Sequence, residues 1–187
     1  AVTAREQKKG WGINKVNGKD YGLGWMYGLR TKILWRPGDA TKVTLSADYK
    51  RLHDNFTSGF QLVRGAVGTG GFTYEGDYNV NTPTPGFTTQ RVWGSALSVE
   101  HQFDWATFTN LVGTRYIRTT STLDADYVPT QLTYVDVESR ARTFQEEARL
   151  SSNTTNPLSW QAGVFYYHSS AQLLSQTVTG LGVGGLG

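Results

Sequence analysis

The sequence predicts an all-β fold of long antiparallel strands, and three observations predict it. Six segments alternate apolar and polar residues with period two. The breaks between them collect Gly, Pro, Asn and Thr, which serve turns better than helices. Of 187 residues, 13% are aromatic and 18% charged, with 22 Gly, so rings and glycine stand where a helical protein would carry charge.

The first strand is expected over residues 23–36, where Trp25, Tyr27, Leu29, Thr31, Ile33 and Trp35 share one parity while Arg30 and Lys32 lie on the other. Pro37, Gly38 and Asp39 make a turn. A second strand follows over 42–53, in which Val43, Leu45, Ala47 and Tyr49 alternate with Lys42, Thr44, Ser46, Asp48 and Lys50. Residues 55–88 lose the alternation and read as a long loop rich in Gly, Thr and Pro. Alternation returns over 89–103, with Trp93, Leu97, Val99 and Phe103 opposite Gly94, Ala96, Ser98, Glu100 and Gln102. The break at Asp104 and Trp105 suits a tight hairpin into a strand over 106–118, where Phe108, Val112 and Tyr116 face away from Thr107, Thr109 and Arg115. Residues 119–138 read as a second long polar loop, with LTYVDVES inside it able to extend a strand. Two more strands are expected over 139–151 and 158–170, joined by SNTTNP. Phe144, Ala148 and Leu150 oppose Gln145, Glu147 and Arg149; Trp160, Ala162, Val164 and Tyr166 oppose Gln161, Gly163, Phe165 and Tyr167. Glu146 falls on the apolar parity and breaks the pattern.

Short turns near Pro37, Asp104 and Asn153 alternate with the long loops, so the short ones share one rim of the sheet and the long ones the other. That asymmetry fits antiparallel strands of a transmembrane β-barrel, with short periplasmic turns and long extracellular loops. Strands of roughly 11 to 14 residues exceed the usual length in soluble sheets. Trp35 and Trp160 beside short turns, and Tyr116 and Tyr166 towards the far ends, suit a bilayer interface. No run approaches the ~20 apolar residues of a membrane helix, and a mean hydropathy of −0.41 is ordinary for a barrel. The alternative from a different class is a soluble β-sandwich binding module, whose strands also alternate.

The net charge of +3 does not make a nucleic-acid interface, because Lys and Arg are spread singly and never run beyond Lys8 and Lys9. With no Cys there is neither a disulfide framework nor a thiolate metal site. AVTAREQKKG lacks the apolar centre of a signal peptide, so an export signal is expected outside these residues. His53, His101 and His168 lie far apart with no metal-ligand spacing and read as polar residues at strand ends. GAVGTGG lacks the Lys-Ser/Thr ending of a phosphate loop. Neither catalysis nor a cofactor is expected.

TFQEEARLSS followed by LSWQAGVFYY resembles a hallmark of TonB-dependent outer-membrane receptors, an E-x-R-L strand leading through a turn into an L-x-W-x-A-G-x-Y-Y strand. The matching residues are Glu147, Arg149, Leu150, Leu158, Trp160, Ala162, Gly163, Tyr166 and Tyr167. LRTKILWRPGDATKVTLSADY is similar to early barrel strands of the same family. The resemblance implies an N-terminal part of a 22-stranded barrel in the bacterial outer membrane, closed around a plug domain. It also implies uptake of a scarce solute such as a ferric siderophore, cobalamin or a saccharide, with energy from the inner-membrane TonB complex. No TonB box and no plug segment stand in these residues, so the plug is expected elsewhere. A small eight-stranded barrel is the alternative by length, if AVTAREQKK and QLLSQTVT each supply a strand; passive porins are its functional counterpart.

Two sets of candidate residues follow. Arg30, Lys32, Asp48, Lys50, Glu100, Arg115, Glu147 and Arg149 lie on the polar parity and are expected to face the lumen or the plug. Phe60, Phe72, Tyr74, Tyr78 and Phe87, on the long Gly-rich loop, are expected either to meet a small-molecule substrate or to pack on one another.

Overall fold

A computed structural model describes residues 1–55, 64–67, 71, 73–74, 79–83, 86–125, 128–129, 133–153 and 158–180. The chain is all-β, and most of it forms one antiparallel open sheet of seven strands. In chain order the strands are β1 (Val2–Gln7), β2 (Gly12–Ile13), β3 (Asp20–Tyr21), β4 (Gly24–Gly38), β5 (Thr41–Asp54), β6 (Phe87–Gln102), β7 (Ala106–Asp124), β8 (Thr133–Ser152) and β9 (Gln161–Gly180). The sheet runs β1-β4-β5-β6-β7-β8-β9, while β2 and β3 pair separately. From β4 onward every strand lies beside its sequence neighbour, the pattern of an up-and-down meander. No closed barrel forms among the described residues, and β1 and β9 are the edges.

Pairing register decides which side chains share a face, since directly opposed residues project the same way. Ile33, Leu45, Leu97 and Val112 are cross-strand neighbours in one row, and Trp35, Val43 and Val99 in the next. Leu29, Tyr49, Trp93 and Tyr116 form a further row on the same face. The alternation read from sequence thus joins up across strands into an apolar band, interrupted by the row of Thr31, Ala47, Ser95 and Thr114 between the Leu45 row and the Tyr49 row.

Rings bound that band at both ends. Near the short turns, Phe103 stacks on Trp105 and Trp105 meets Trp160, with centroids 6.2 and 6.3 Å apart. Towards the other rim, Trp25 stacks on Tyr27, Tyr27 meets Tyr49 at 6.1 Å, and Trp93 stacks on Tyr116 at 5.6 Å. Glu146, the blemish in the pattern, opposes Tyr166 on this face and accepts a hydrogen bond from Asn110 Nδ2 at 3.3 Å.

The band is uncovered. Leu45 is 46% exposed, Trp93 45% and Val164 73%, and no second sheet packs on either face among the described residues. Total accessible area is 12280 Å², against about 9000 Å² for a compact monomer of this size. Burial concentrates at the rim opposite the short turns. There Asn14 is 2% exposed; its Nδ2 donates to Thr82 O at 2.7 Å, and its Oδ1 accepts from the amides of Val16 and Thr82. Asn55 Oδ1 accepts from the amides of Gly22 and Leu23, tying the connection after β1 to the one after β5.

Several sequence expectations are corrected. The loop expected over 119–138 is mostly strand, because β7 continues to Asp124 and β8 begins at Thr133. LTYVDVES falls largely in β8, as its alternation allows. The last strand starts at Gln161 and runs on to Gly180, so QLLSQTVT belongs to β9 and adds no separate strand. AVTAREQ does supply a strand, β1, paired with β4 from Val2↔Leu29 to Gln7↔Gly24. Its connection to β4 ends on the same rim as the long loop after β5.

Candidate functional site

The polar face of the sheet holds the candidate site. All eight charged residues singled out on the polar parity lie on it, brought together by register. Arg30 opposes Asp48, Asp48 opposes Gly94, and Gly94 opposes Arg115. Lys32 opposes Ser46 and Lys50 opposes Val92. Glu100 lies between Lys42 and Thr109, Arg149 follows beyond Thr109, and Glu147 opposes Leu111 and Phe165.

Arg115 and Asp48 sit on strands that are not neighbours, with β6 between them. The Arg115 guanidinium crosses β6 and donates to Asp48 Oδ1 at 2.9 Å. Gly94 is what lets it pass. A Cβ there would stand 3.0 Å from Thr114 O and 3.1 Å from the guanidinium nitrogen. Beside this bridge a groove of about 290 Å³ opens, walled by Arg30, Asp48 and Arg115. Its floor is low because Ser46, Ala96 and Gly113 stand side by side in one row. A second groove of about 330 Å³ lies towards β9, where Arg149 and Glu147 approach to 3.7 Å and Gly163 and Phe165 complete the wall.

The chemistry available is binding chemistry. Guanidinium and carboxylate groups line a shallow polar trough with hydroxyl and amide neighbours, a surface able to hydrogen-bond a polar ligand or a second protein domain. The Arg115–Asp48 pair is 49% and 32% exposed, so its worth is set by geometry more than by Coulomb energy. His53 and His101 lie on the opposite face, hydrogen-bonded through Nδ1 to Thr89 and Thr41 at 2.8 and 2.7 Å. No group of three His, Cys, Asp or Glu residues could hold a metal ion among the described residues.

The loop aromatics separate. Tyr74 is 5% exposed and its amide bonds Ala66 O, so it is not a displayed ring. Phe87 opens β6 in place of ending the loop, and its ring lies 5.6 Å from His53 on the apolar face. Phe60, Phe72 and Tyr78 lie outside the described residues. Sequence reasoning found the charged walls but not the floor. Its signal was present in the small residues sharing the polar parity, yet which of them meet depends on register between distant strands. Comparisons with protein-family models, with curated proteins and with solved structures find no match to this chain.

Proposed function

We propose that the chain is part of an outer-membrane β-barrel receptor that takes up a scarce small solute with energy from the TonB complex. The single observation that carries the reading is the sheet's two-sidedness. One face is an uncovered apolar band bounded by aromatic rings, and the other carries the eight charged residues, five of which wall shallow grooves. A soluble sheet would bury the first face against a second layer. A bilayer supplies that layer instead, with rings at its two interfaces. From Phe103 to Trp93 the strand stands about 25 Å high at the tilt usual for such barrels, which matches the apolar thickness they present.

On this reading the polar face lines the lumen, and Arg30, Lys32, Asp48, Lys50, Glu100, Arg115, Glu147 and Arg149 meet a plug domain or the passing solute. The connections on the far rim are extracellular and collect substrate. The E-x-R-L and L-x-W-x-A-G strands supply the likeness to TonB-dependent receptors, and with it the solute classes: ferric siderophore, cobalamin or saccharide. No nucleic acid and no cofactor enter the reading.

The test is genetic and cell-based. Removing the gene from its natural host, or removing TonB, is expected to abolish the same energy-dependent uptake when labelled members of the three solute classes are offered. Uptake that survives loss of TonB but not of the gene would make the protein a passive pore. Recovery of the protein in the soluble fraction would end the membrane reading altogether.

A further inference from the structure

Past the aromatic row of Tyr49, Trp93 and Tyr116, the apolar face changes character. Arg51 opposes Arg91, Arg91 opposes Arg118 and Arg118 opposes Arg140, so four arginines stand side by side on consecutive strands. Arg142, opposite Tyr116, adds a fifth one step back. Like charges directly opposed repel, and strands lie only about 4.8 Å apart. The row therefore favours anions, and few stand near it among the described residues. Glu138 pairs with Arg118 at 2.6 Å, Asp136 accepts the Thr122 hydroxyl, and Arg140 donates to Gln172. Arg51 and Arg142 lie over the Trp25 and Tyr116 rings at 5.4 and 5.5 Å. Arg51 Nε is buried without a hydrogen-bond partner among the described residues, and Arg91 is exposed. At the end of the row a cleft of about 240 Å³ is lined by Arg140, Arg142, His168, Ser170 and Gln172. The polar face at the same height carries Leu52, Gln90, Thr119 and Ser139 in register, so these cations are not an extension of the inner charged set.

We propose that the arginine row binds the phosphorylated headgroup of a lipid in the outer leaflet of the membrane. This rests on the reading above, in which the apolar face meets hydrocarbon and the long-loop rim is extracellular. Each element of the geometry then has one use. The aromatic row marks the interface, and the arginines follow it at headgroup depth. Guanidinium forks hold phosphate oxygens in pairs where Lys would offer only a point charge. Four strands across, the row spans roughly 14 Å, enough to meet more than one phosphate. A bound phosphate also relieves the repulsion that the described residues leave uncompensated.

The experiment uses the natural full-length protein extracted from its own outer membrane in mild neutral detergent. Native mass spectrometry and a phosphorus assay count phosphorylated lipid retained per protein. The paired variant Arg91→Gln/Arg118→Gln is expected to lose retained lipid at least tenfold. Arg91→Lys/Arg118→Lys is expected to keep part of it, and Lys42→Gln, which removes a charge from the polar face, is expected to keep it all. Heat-modified migration on gels reports folding of each variant. Adding millimolar inorganic phosphate is expected to leave the lipid in place. Equal lipid in wild type and the Gln variant, with both in the outer membrane, overturns the site while leaving the membrane reading intact. Displacement by free phosphate shows a site for soluble anions and overturns the lipid. Failure of the wild type to fractionate with the outer membrane overturns both.

Discussion

At Gly94 a missing side chain does the work usually credited to a charge. The Arg115–Asp48 bridge looks like the main tie across β6, but both partners are substantially exposed, and such pairs contribute about 0–1 kcal/mol. The steric demand is less forgiving. A Cβ at Gly94 would press on Thr114 O, a backbone atom of the paired strand, as well as on the guanidinium. Asp48→Asn is therefore expected to cost under about 1 kcal/mol, and Gly94→Ala about 1–2 kcal/mol through overpacking. Denaturant unfolding of the folded protein in detergent compares the two. A larger loss for Asp48→Asn would show that charge, not clearance, holds this part of the sheet. None of this was legible along the chain, because Asp48, Gly94 and Arg115 meet only through two registers. The arginine row was hidden for the same reason, its members standing on four different strands.

Among the strands, β6 is a good place to ask what lies against each face, since adjacent residues answer oppositely. Leu97 projects into the apolar band between Leu45 and Val112, while Ser98 projects to the polar face between Thr44 and Leu111. If hydrocarbon covers the band, Leu97→Arg is expected to cost about 2–4 kcal/mol and Ser98→Arg less than about 1 kcal/mol. Equilibrium unfolding from lipid vesicles measures both. Similar small costs would mean that water lies on both faces. The same physics explains which strands sequence could delimit. Alternation is strong over β4, β5 and the middle of β6 because two unlike environments select for it. It fades over Thr119–Asp124, where Thr and Ser fill both parities, and over Thr133–Glu138 it persists but inverts, with Val135 and Val137 on the polar face and Asp136 and Glu138 on the other, as β7 and β8 run beyond the apolar band. Beyond the band the pattern no longer follows that of the preceding strands, so those turns of ladder read as loop. β1 was weak for a related reason: Val2–Gln7 is largely polar and exposed, and its strand state comes from pairing with β4.

The whole sheet poses a question that no single strand does, namely where its edges go. β9 is paired with β8 along Gln161–Gly180 and has no partner on its other side among the described residues. At the opposite edge, Ala1 and β1 cover β4 only as far as Arg30, and over 31–35 β4 has no partner on that side among the described residues. In water such edges are an aggregation hazard; in hydrocarbon each unpaired N–H or C=O costs several kcal/mol, so an open sheet does not persist there. Membrane location and an open sheet are therefore compatible only if further strands, from the same polypeptide or another copy, complete both edges. Hydrogen exchange in the natural protein, reconstituted in lipid, reads this directly. The β9 amides alternate between those bonded to β8 and those pointing away. Protection of the second set by a factor of about 10³ or more, matching the first, is the expected result. If the outward amides exchange as in a free peptide while the inward ones are protected, the edge is bare. A bare edge twenty residues long does not survive in a bilayer, and the uncovered apolar band would then have to be covered by protein.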